Sequence, residues 1–285
     1  MQKIKCIFVD IDGTLMKEGA YFPNSISEAN IDALKDYADA GGQIILSTGR
    51  DVTETIKVAQ YLSKTISPAS IPYLICLNGA IIVRFTSEYP SIVTRYFELN
   101  ACKLVVDYLV KNKYNFFLAN SDKELYFTNR LFSKLMFWLL FKDRYEKKYF
   151  SEEINLAKIQ KVMIFLKLPR VKALRKKLVE KFGSYFYFSS GPRFFIEIID
   201  NRINKWYAAQ EVARLLNIEI DNIAVIGNEG NDILSLESAG YGAGVDLREK
   251  KHLNWDPEKI QYHTTNKYCE AVANVIRELK RAGRY

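Results

Sequence analysis

Two aspartates lie near the amino terminus, in the segment Asp10-Ile-Asp-Gly-Thr14 that follows the apolar run KCIFV. Side chains two residues apart in an extended segment point to the same side, so the carboxylates of Asp10 and Asp12 are predicted to face one site. Paired carboxylates repel each other, and a bound Mg²⁺ relieves that repulsion because it prefers oxygen ligands. A carboxylate can also attack phosphorus to form an aspartyl-phosphate. An exposed turn is the alternative, because turns favour Asp and Gly.

Three further polar positions end apolar runs or open a helical pattern. Thr48 follows the run QIILS, and its hydroxyl and neighbouring backbone N–H groups either bind a phosphoryl oxygen or cap the next helix. Lys205 opens a helical segment, where its ammonium either neutralises a transferring phosphoryl group or stays solvated. The loop 227–232 follows another apolar run, so its side chains are candidate metal ligands, with a plain acidic loop as the alternative.

Alternating strands and helices are predicted to position these residues. Runs such as 43–46 and 73–77 are apolar throughout, which is typical of parallel strands that are buried on both faces. Strand–helix alternation predicts a doubly wound, Rossmann-like parallel α/β sheet, in which ligands bind beyond the carboxyl ends of the strands. The helices predicted around the site are 25–40, which opens with a capping box at Ser25–Glu28, 52–62 and 202–216.

The middle of the chain has a different pattern, with period-2 alternation and many aromatic residues. This predicts an α+β cap domain at 84–190, inserted into a core formed by 1–83 and 191–285. The aromatic stretch Phe132–Phe141 is predicted to fill the core of this cap. The strands predicted within it are 92–99, 115–119, 124–127, 161–167 and 185–189, and the predicted helices are 101–112, 130–140 and 170–182. A further alternating strand is predicted at 194–199, beyond the limit at 190.

Charge is concentrated in one part of the chain. The sequence has 41 Lys and Arg against 33 Asp and Glu, a net charge of +8. Residues 142–181 contain 13 basic and 5 acidic side chains, a pattern that either attracts anions or is a solvated helix face. No nucleic-acid-recognition motif accompanies it, so we expect no nucleic-acid partner.

Membrane spans and disulfides are not expected. The longest apolar run, 135–141, has seven residues, whereas a membrane-spanning helix needs about 20. The amino terminus leads directly into a charged motif and does not read as a signal peptide. The four cysteines form no CxxC pair, which favours free thiols in a reducing cytoplasm.

Five motifs in order resemble the signature of haloacid-dehalogenase-type phosphatases. They are DxDGT at 10–14, STGR at 47–50, NGA at 78–80, Lys205 and the loop 227–232. The NGA element and the long insertion before Lys205 resemble the Cof-type subfamily, which carries a large α/β cap. Each motif is modest alone, but their order and spacing together identify the family.

The resemblance implies an Mg²⁺-dependent phosphomonoester hydrolase acting on a small phosphorylated metabolite, foremost a sugar phosphate, through an aspartyl-phosphate on Asp10. Asp12 would be the general acid and base and lend its backbone carbonyl to the metal, while the cap would close over the substrate. The implied phosphate-binding or substrate-binding residues are Thr48, Gly49, Arg50, Asn78, Lys205 and Asn231. The implied metal ligands are Asp10, Asp12, Asn228 and Asp232.

Two positions depart from the family pattern. Asn228 stands where the family has Asp, and since an amide oxygen carries no charge we expect weaker Mg²⁺ binding, partly compensated by Asp232. A weakly active or inactive binding or regulatory protein is therefore one alternative, and a sugar phosphomutase is another. Trp206 replaces a small residue after Lys205; core packing is the predicted role of its ring, with narrowing of the site as the alternative. The oligomeric state stays open.

Overall fold

The chain forms two compact units. The structure, a computed structural model, describes residues 2–17, 20, 22–120, 124–128, 146–149, 154–166, 170–190, 195–250, 253–265 and 267–285. The first unit, the core unit, comprises Met1–Val93 and Lys205–Tyr285, and the second comprises Thr94–Asn204. The described helices are α1 Glu28–Asp39, α2 Val52–Leu62, α3 Leu99–Lys111, α4 Arg170–Phe182, α5 Lys205–Leu216, α6 Ile233–Ser238 and α7 Lys267–Arg281.

The core unit is built on an eight-stranded sheet. In chain order its strands are β1 Cys6–Val9, β2 Gln43–Ser47, β3 Tyr73–Cys76, β4 Ile81–Arg84, β5 Ser91–Thr94, β12 Ile223–Gly227, β13 Tyr241–Val245 and β14 Tyr262–Thr264. Their order across the sheet is β14-β13-β12-β1-β2-β3-β4-β5. The pairings from β14 to β3 are parallel, and β4 runs antiparallel to β3. All four residues of β1 are buried, as a central parallel strand requires, so the predicted doubly wound α/β fold is confirmed.

The second unit holds a separate six-stranded sheet. Its strands are β6 Asn115–Asn120, β7 Glu124–Phe127, β8 Glu146–Tyr149, β9 Ile159–Phe165, β10 Phe186–Ser190 and β11 Phe195–Asp200. Their order is β10-β11-β9-β6-β7-β8, antiparallel except for the parallel pair β7–β8. With helices α3 and α4 this makes an α+β unit, the class predicted for the inserted region.

The unit boundaries fall later in the chain than the predicted boundaries at 84 and 190. At the first boundary, β4 and β5 join the sheet of the core unit. At the second, β11 pairs with both β9 and β10 and so belongs to the second unit. Strand pairing between distant segments decides both limits, and local sequence patterns do not report it.

Two elements begin or end away from their predicted positions. Helix α1 begins at Glu28, not at Ser25, because residues 23–25 form a 3₁₀ turn and the side chain of Ser27 caps the helix instead. The strand predicted over 92–99 stops at Thr94, because Glu98 has already turned to cap α3 with its carboxylate. Both differences concern capping residues, whose choice depends on the path of the incoming chain.

Several predictions concern residues that the structure does not describe. The helix predicted at 130–140 and the aromatic stretch Phe132–Phe141 lie outside the described residues, as do residues 142–145, 150–153 and 167–169 of the basic segment. Helix α4, at the carboxyl end of that segment, buries Val171, Leu174, Leu178 and Phe182. Among the helices formed by described residues, none has the length and apolar character that a membrane crossing demands.

All four cysteines are free thiols, as predicted. Cys6, Cys76 and Cys102 are buried, while Cys269 is exposed. Burial raises the pKa of both Cys76 and Cys102 to about 12, so these thiols stay protonated and are poor nucleophiles at neutral pH.

A buried asparagine connects the first helix, α1, to the last, α7, by hydrogen bonds. Asn30 is fully buried, and its side-chain oxygen accepts the backbone N–H of Ala273 at 3.0 Å. Its amide nitrogen donates to the backbone oxygen of Tyr268 at 2.7 Å. These hydrogen bonds join α1 to α7.

Replacing this asparagine tests the connection. We expect Asn30→Ala to lower the free energy of unfolding by about 2 to 3 kcal/mol, because buried backbone groups lose their partners. The control Asn24→Ala alters an exposed residue and should change stability by less than about 0.5 kcal/mol. Urea unfolding followed by circular dichroism measures both, and equal effects would contradict the role given to Asn30.

Candidate active site

Four neighbouring strands deliver polar residues to one edge of the core sheet. Strand β1 lies between β12 and β2, with β3 next to β2, and all four are parallel. Their carboxyl ends therefore meet at the same edge. The residues that follow them there are Asp10 after β1, Thr48 after β2, Asn78 after β3 and Asn228 after β12.

Lys205 joins two carboxylates at the centre of this edge. Its Nζ donates to Oδ1 of Asp10 at 2.6 Å and to Oδ1 of Asp232 at 2.7 Å. The exposed fractions of Lys205, Asp10 and Asp232 are 2%, 6% and 2%. Because Lys205 is the first residue of α5, the packing of that helix on the sheet carries the ammonium to the strand ends. The structure thus brings together three residues that are far apart in sequence.

The charges in this cluster do not balance. Burial raises the pKa of Asp10 to about 7, with Lys205 lowering it and the neighbouring carboxylate of Asp232 raising it. Burial opposes the charge on Lys205, but the two aspartates outweigh that effect and raise its pKa. Two buried carboxylates share one ammonium, so the site favours binding of additional positive charge.

Asp232 also shapes the loop that contains it. Its Oδ2 accepts the backbone N–H groups of Asn228 and Glu229, each at 3.0 Å. A Cβ on Gly227 would lie 2.5 Å from the carboxyl carbon of Asp232, so only glycine allows this approach. Both carboxylate oxygens of Asp232 are thus engaged by protein donors.

Lys250 holds the same loop from outside and was not predicted from the sequence. Its Nζ donates to the backbone oxygen of Asn228 at 2.8 Å and forms an ion pair with Glu229. Nothing in the local pattern around Lys250 distinguishes it from other surface lysines. Its contact arises from the path of the chain after β13.

Asn228 presents an oxygen beside the turn of the first motif. Its Oδ1 is buried and accepts no hydrogen bond from the described part of the chain. A Cβ on Gly13, whose φ is +79°, would lie 2.2 Å from Nδ2 of Asn228. Glycine is therefore required here both for the left-handed backbone and for the close approach of the amide.

Arg50 pairs with Asp12. Its Nε donates to Oδ2 of Asp12 at 2.8 Å, and its Nη2 donates to Oδ1 at 2.6 Å. The same Nη2 donates to the backbone oxygen of Ala20 at 2.6 Å. The backbone N–H of Arg50 donates to Oγ1 of Thr48 at 3.1 Å, which fixes the start of the segment. Burial disfavours the guanidinium charge, but the pair with Asp12 outweighs this and raises the pKa of Arg50.

A strained turn carries Asn78 to the site. Leu77 and Asn78 have φ of 50° and 56°, which is costly for residues other than glycine. The backbone N–H of Asn78 donates to the backbone oxygen of Thr48 at 2.9 Å. Its Oδ1 accepts from Nδ2 of Asn231 at 2.8 Å and lies 3.1 Å from where a Cβ on Gly49 would be.

The predicted site residues form two hydrogen-bonded groups at this edge of the sheet. The first contains Asp10, Lys205, Asp232 and Asn228. The second runs from Asp12 through Arg50 and Thr48 to Asn78 and Asn231. Trp206 takes no part in these hydrogen bonds, because it packs in a buried hydrophobic cluster that includes Phe8 and Val225. Core packing, the role predicted for Trp206, is thus what the structure shows.

Comparison with known proteins identifies the family. The model of the haloacid dehalogenase-like hydrolases matches residues 7–276. The chain belongs to this family. The resemblance read from the five motifs is thereby confirmed, and the chain is a phosphatase of the haloacid dehalogenase superfamily.

Related sequences and structures extend over nearly the whole chain. YxeH of Bacillus subtilis, named as a candidate phosphatase, is 27% identical, with 96% of this chain and 98% of that protein covered. The 5-amino-6-(5-phospho-D-ribitylamino)uracil phosphatase YcsE of the same organism is 24% identical, with coverages of 96% and 95%. A HAD/COF-like hydrolase from Plasmodium vivax superposes with a TM-score of 0.79 at 20% identity, with coverages of 99% and 97%. The sugar phosphatase BT4131 gives 0.73 at 18%, with 99% and 100% covered.

The donor atoms at the site suit the Mg²⁺ ion that haloacid dehalogenase-type chemistry uses. Asp10 supplies a carboxylate, and Asn228 supplies a buried oxygen without a partner in the described residues. Oxygen ligands of this kind are those that Mg²⁺ prefers. In the part of the chain that the structure describes, no three His, Cys, Asp or Glu side chains are grouped as metal ligands. Because residue 228 is an asparagine, Asp10 and Asp232 are the two buried carboxylates among the predicted metal ligands.

Removing the central ammonium tests the charge balance. We expect Lys205→Met to lower the free energy of unfolding of the metal-free protein by about 3 to 5 kcal/mol, because two buried carboxylates lose their cation. The control Lys35→Met breaks an exposed pair with Asp39 and should cost less than about 1 kcal/mol. Both values come from urea unfolding in the presence of a chelator. Equal losses would show that the Lys205 cluster contributes no more than a surface pair.

Proposed function

We propose that this phosphatase is an Mg²⁺-dependent phosphomonoester hydrolase that works through an aspartyl-phosphate on Asp10. The observation that carries the proposal is the placement of the Lys205 ammonium 2.6 Å from Oδ1 of Asp10, at the end of the central strand. A cation there neutralises a carboxylate as it approaches an anionic phosphoryl group. Burial raises the pKa of Asp10 despite the neighbouring ammonium of Lys205, so a bound cation would favour the ionised form of this carboxyl.

In the first step a carboxylate oxygen of Asp10 attacks phosphorus. A bond forms between that oxygen and phosphorus while the bond from phosphorus to the ester oxygen breaks. The electron pair stays on the leaving oxygen, which takes the proton of Asp12 as general acid. The ammonium of Lys205 and the hydroxyl of Thr48 stabilise the charge on the phosphoryl oxygens.

In the second step Asp12 acts as a base. Its carboxylate takes a proton from water while the water oxygen attacks phosphorus, and the electron pair of the bond between phosphorus and Asp10 returns to Asp10. Inorganic phosphate and the free carboxylate result. Proton transfer by a positioned side chain of this kind is typically worth about 10² to 10⁴-fold in rate.

Mg²⁺ would be held by the carboxylate of Asp10, the main-chain carbonyl of Asp12 and Oδ1 of Asn228. When bound, it supplies positive charge that offsets the charge on the nucleophile and on the phosphoryl group. Asp232, also predicted as a ligand, has both oxygens engaged by protein donors. We therefore assign it the orientation of Asn228 and the pairing with Lys205.

A small phosphorylated metabolite is the proposed substrate, with sugar phosphates foremost. The names of BT4131, a sugar phosphatase, and of YcsE, a phosphatase of a phosphorylated ribityl compound, support this class. A panel of sugar and other small phosphate esters, assayed for free phosphate with and without Mg²⁺, tests the proposal. Metal-dependent phosphate release is expected, whereas transfer to a second sugar without free phosphate would indicate a mutase.

Replacing the nucleophile gives a direct prediction. Asp10→Asn should lower turnover by roughly 10⁴-fold or more, because the amide does not attack phosphorus, while circular dichroism and the unfolding midpoint stay close to the parent. Asp36→Asn is the control, since it changes an exposed aspartate paired with Lys280. Turnover retained by Asp10→Asn would refute the assignment of the nucleophile.

The departure at Asn228 gives a second prediction. Asn228→Asp restores a charge to the proposed ligand set, so the dissociation constant of Mg²⁺ should fall by roughly tenfold, since affinity rises with ligand charge. Isothermal titration calorimetry measures this independently of turnover. Asn217→Asp, an exposed position after α5, adds the same charge away from the site and should leave the affinity unchanged. Unchanged or weaker binding by Asn228→Asp would place the metal away from this residue.

A further inference from the structure

The pair formed by Arg50 and Asp12 is a bidentate contact at the site. Two donors of one guanidinium meet the two oxygens of one carboxylate at 2.8 and 2.6 Å. The side chain of Arg50 is 12% exposed and that of Asp12 is 34% exposed. Bidentate pairs of this type fix the orientation of the carboxylate as well as its charge.

The backbone on both sides of the pair is fixed as well. The N–H of Arg50 is bound by the hydroxyl of Thr48, so the arginine starts from a buried strand end. At the other side Nη2 holds the carbonyl of Ala20, which belongs to the segment that follows Asp12. One guanidinium therefore connects β2 to the segment that carries the proposed acid and base.

This geometry conflicts with a bidentate contact of Arg50 with the phosphate. Nε and both protons of Nη2 are already donated to Asp12 and Ala20, so a two-pronged contact with phosphate would break at least one of these bonds. A guanidinium also keeps its proton at all relevant pH values, so it cannot replace Asp12 in proton transfer. Its available role is to hold another group in place.

We propose that Arg50 is a positioning residue that sets the orientation in which Asp12 gives and takes protons. This rests on the proposed function, in which Asp12 is the general acid and base. After Asp12 has passed its proton to the leaving oxygen, it is a carboxylate, which is the form that the two donors of Arg50 bind. The arginine thereby keeps Asp12 in place for the attack of water in the second step.

The test uses two esters that differ in their need for an acid. Glycerol 2-phosphate releases an alkoxide that must be protonated, whereas 4-nitrophenyl phosphate releases a stable anion. In Arg50→Ala we expect kcat/KM to fall roughly 100-fold for the glycerol ester and less than about fivefold for the nitrophenyl ester. Arg50→Lys, which keeps the charge without the planar fork, should give an intermediate loss with the same preference, and decides the matter if Arg50→Ala does not fold.

A double-mutant cycle and a control complete the experiment. In an Asp12→Asn background, Arg50→Ala should cause no further loss with glycerol 2-phosphate, because the group that it positions is gone. Arg214→Ala removes an exposed arginine paired with Glu211 and should leave both substrates unaffected. Equal losses for both esters in Arg50→Ala, or additive losses in the cycle, would overturn the proposal and assign Arg50 to substrate binding or to the fold. Failure of the parent protein to hydrolyse either ester would instead refute the proposed function.

Discussion

The site depends on one buried ammonium between two buried carboxylates. Lys205 lies within hydrogen-bond distance of both Asp10 and Asp232, with all three side chains almost fully shielded from water. Removal of the ammonium from such a cluster leaves two carboxylates without a partner charge in a medium of low polarity. The cluster therefore constrains the ends of β1 and β12 and the start of α5 at the same time. It also leaves the site with a surplus of negative charge, which favours binding of a cation.

The parallel sheet makes this cluster possible. Because β12, β1, β2 and β3 run in the same direction and adjoin in that order, residues from four distant parts of the sequence meet at one edge. Glycines at 13 and 227 then allow backbone and side chains to approach more closely than a Cβ permits. The strained turn at Leu77 and Asn78 brings a polar side chain from the end of β3 to the same edge. Strain of this type is expected where a rigid framework has to place a polar group against its local preference.

The sequence predicts the parts of this arrangement that depend on local pattern. Continuous apolar runs mark the central strands, and the polar residues directly after them mark the edge where Asp10, Thr48 and Asn228 meet. The link from Lys205 to Asp10, across 195 positions, follows only from the order of motifs known in the family. The pairing of Arg50 with Asp12, the contact of Lys250 with the 227–232 loop and the placement of β11 in the second unit depend on tertiary structure. No periodicity or motif reports them, and for that reason the predicted limits at 84 and 190 differ from those of the units.

The covalent step is the centre of this account, and trapping it is the most direct test. Protein turning over a phosphate ester with Mg²⁺ is quenched in acid, digested and analysed by mass spectrometry for acyl-phosphate. The account predicts phosphate on the peptide that contains Asp10, lost on treatment with hydroxylamine, and none on peptides from elsewhere in the chain. Phosphate found on another residue would contradict it. So would the absence of any phosphorylated peptide from the Asp12→Asn variant, in which breakdown of the intermediate is slowed, if that variant still hydrolyses the ester rapidly.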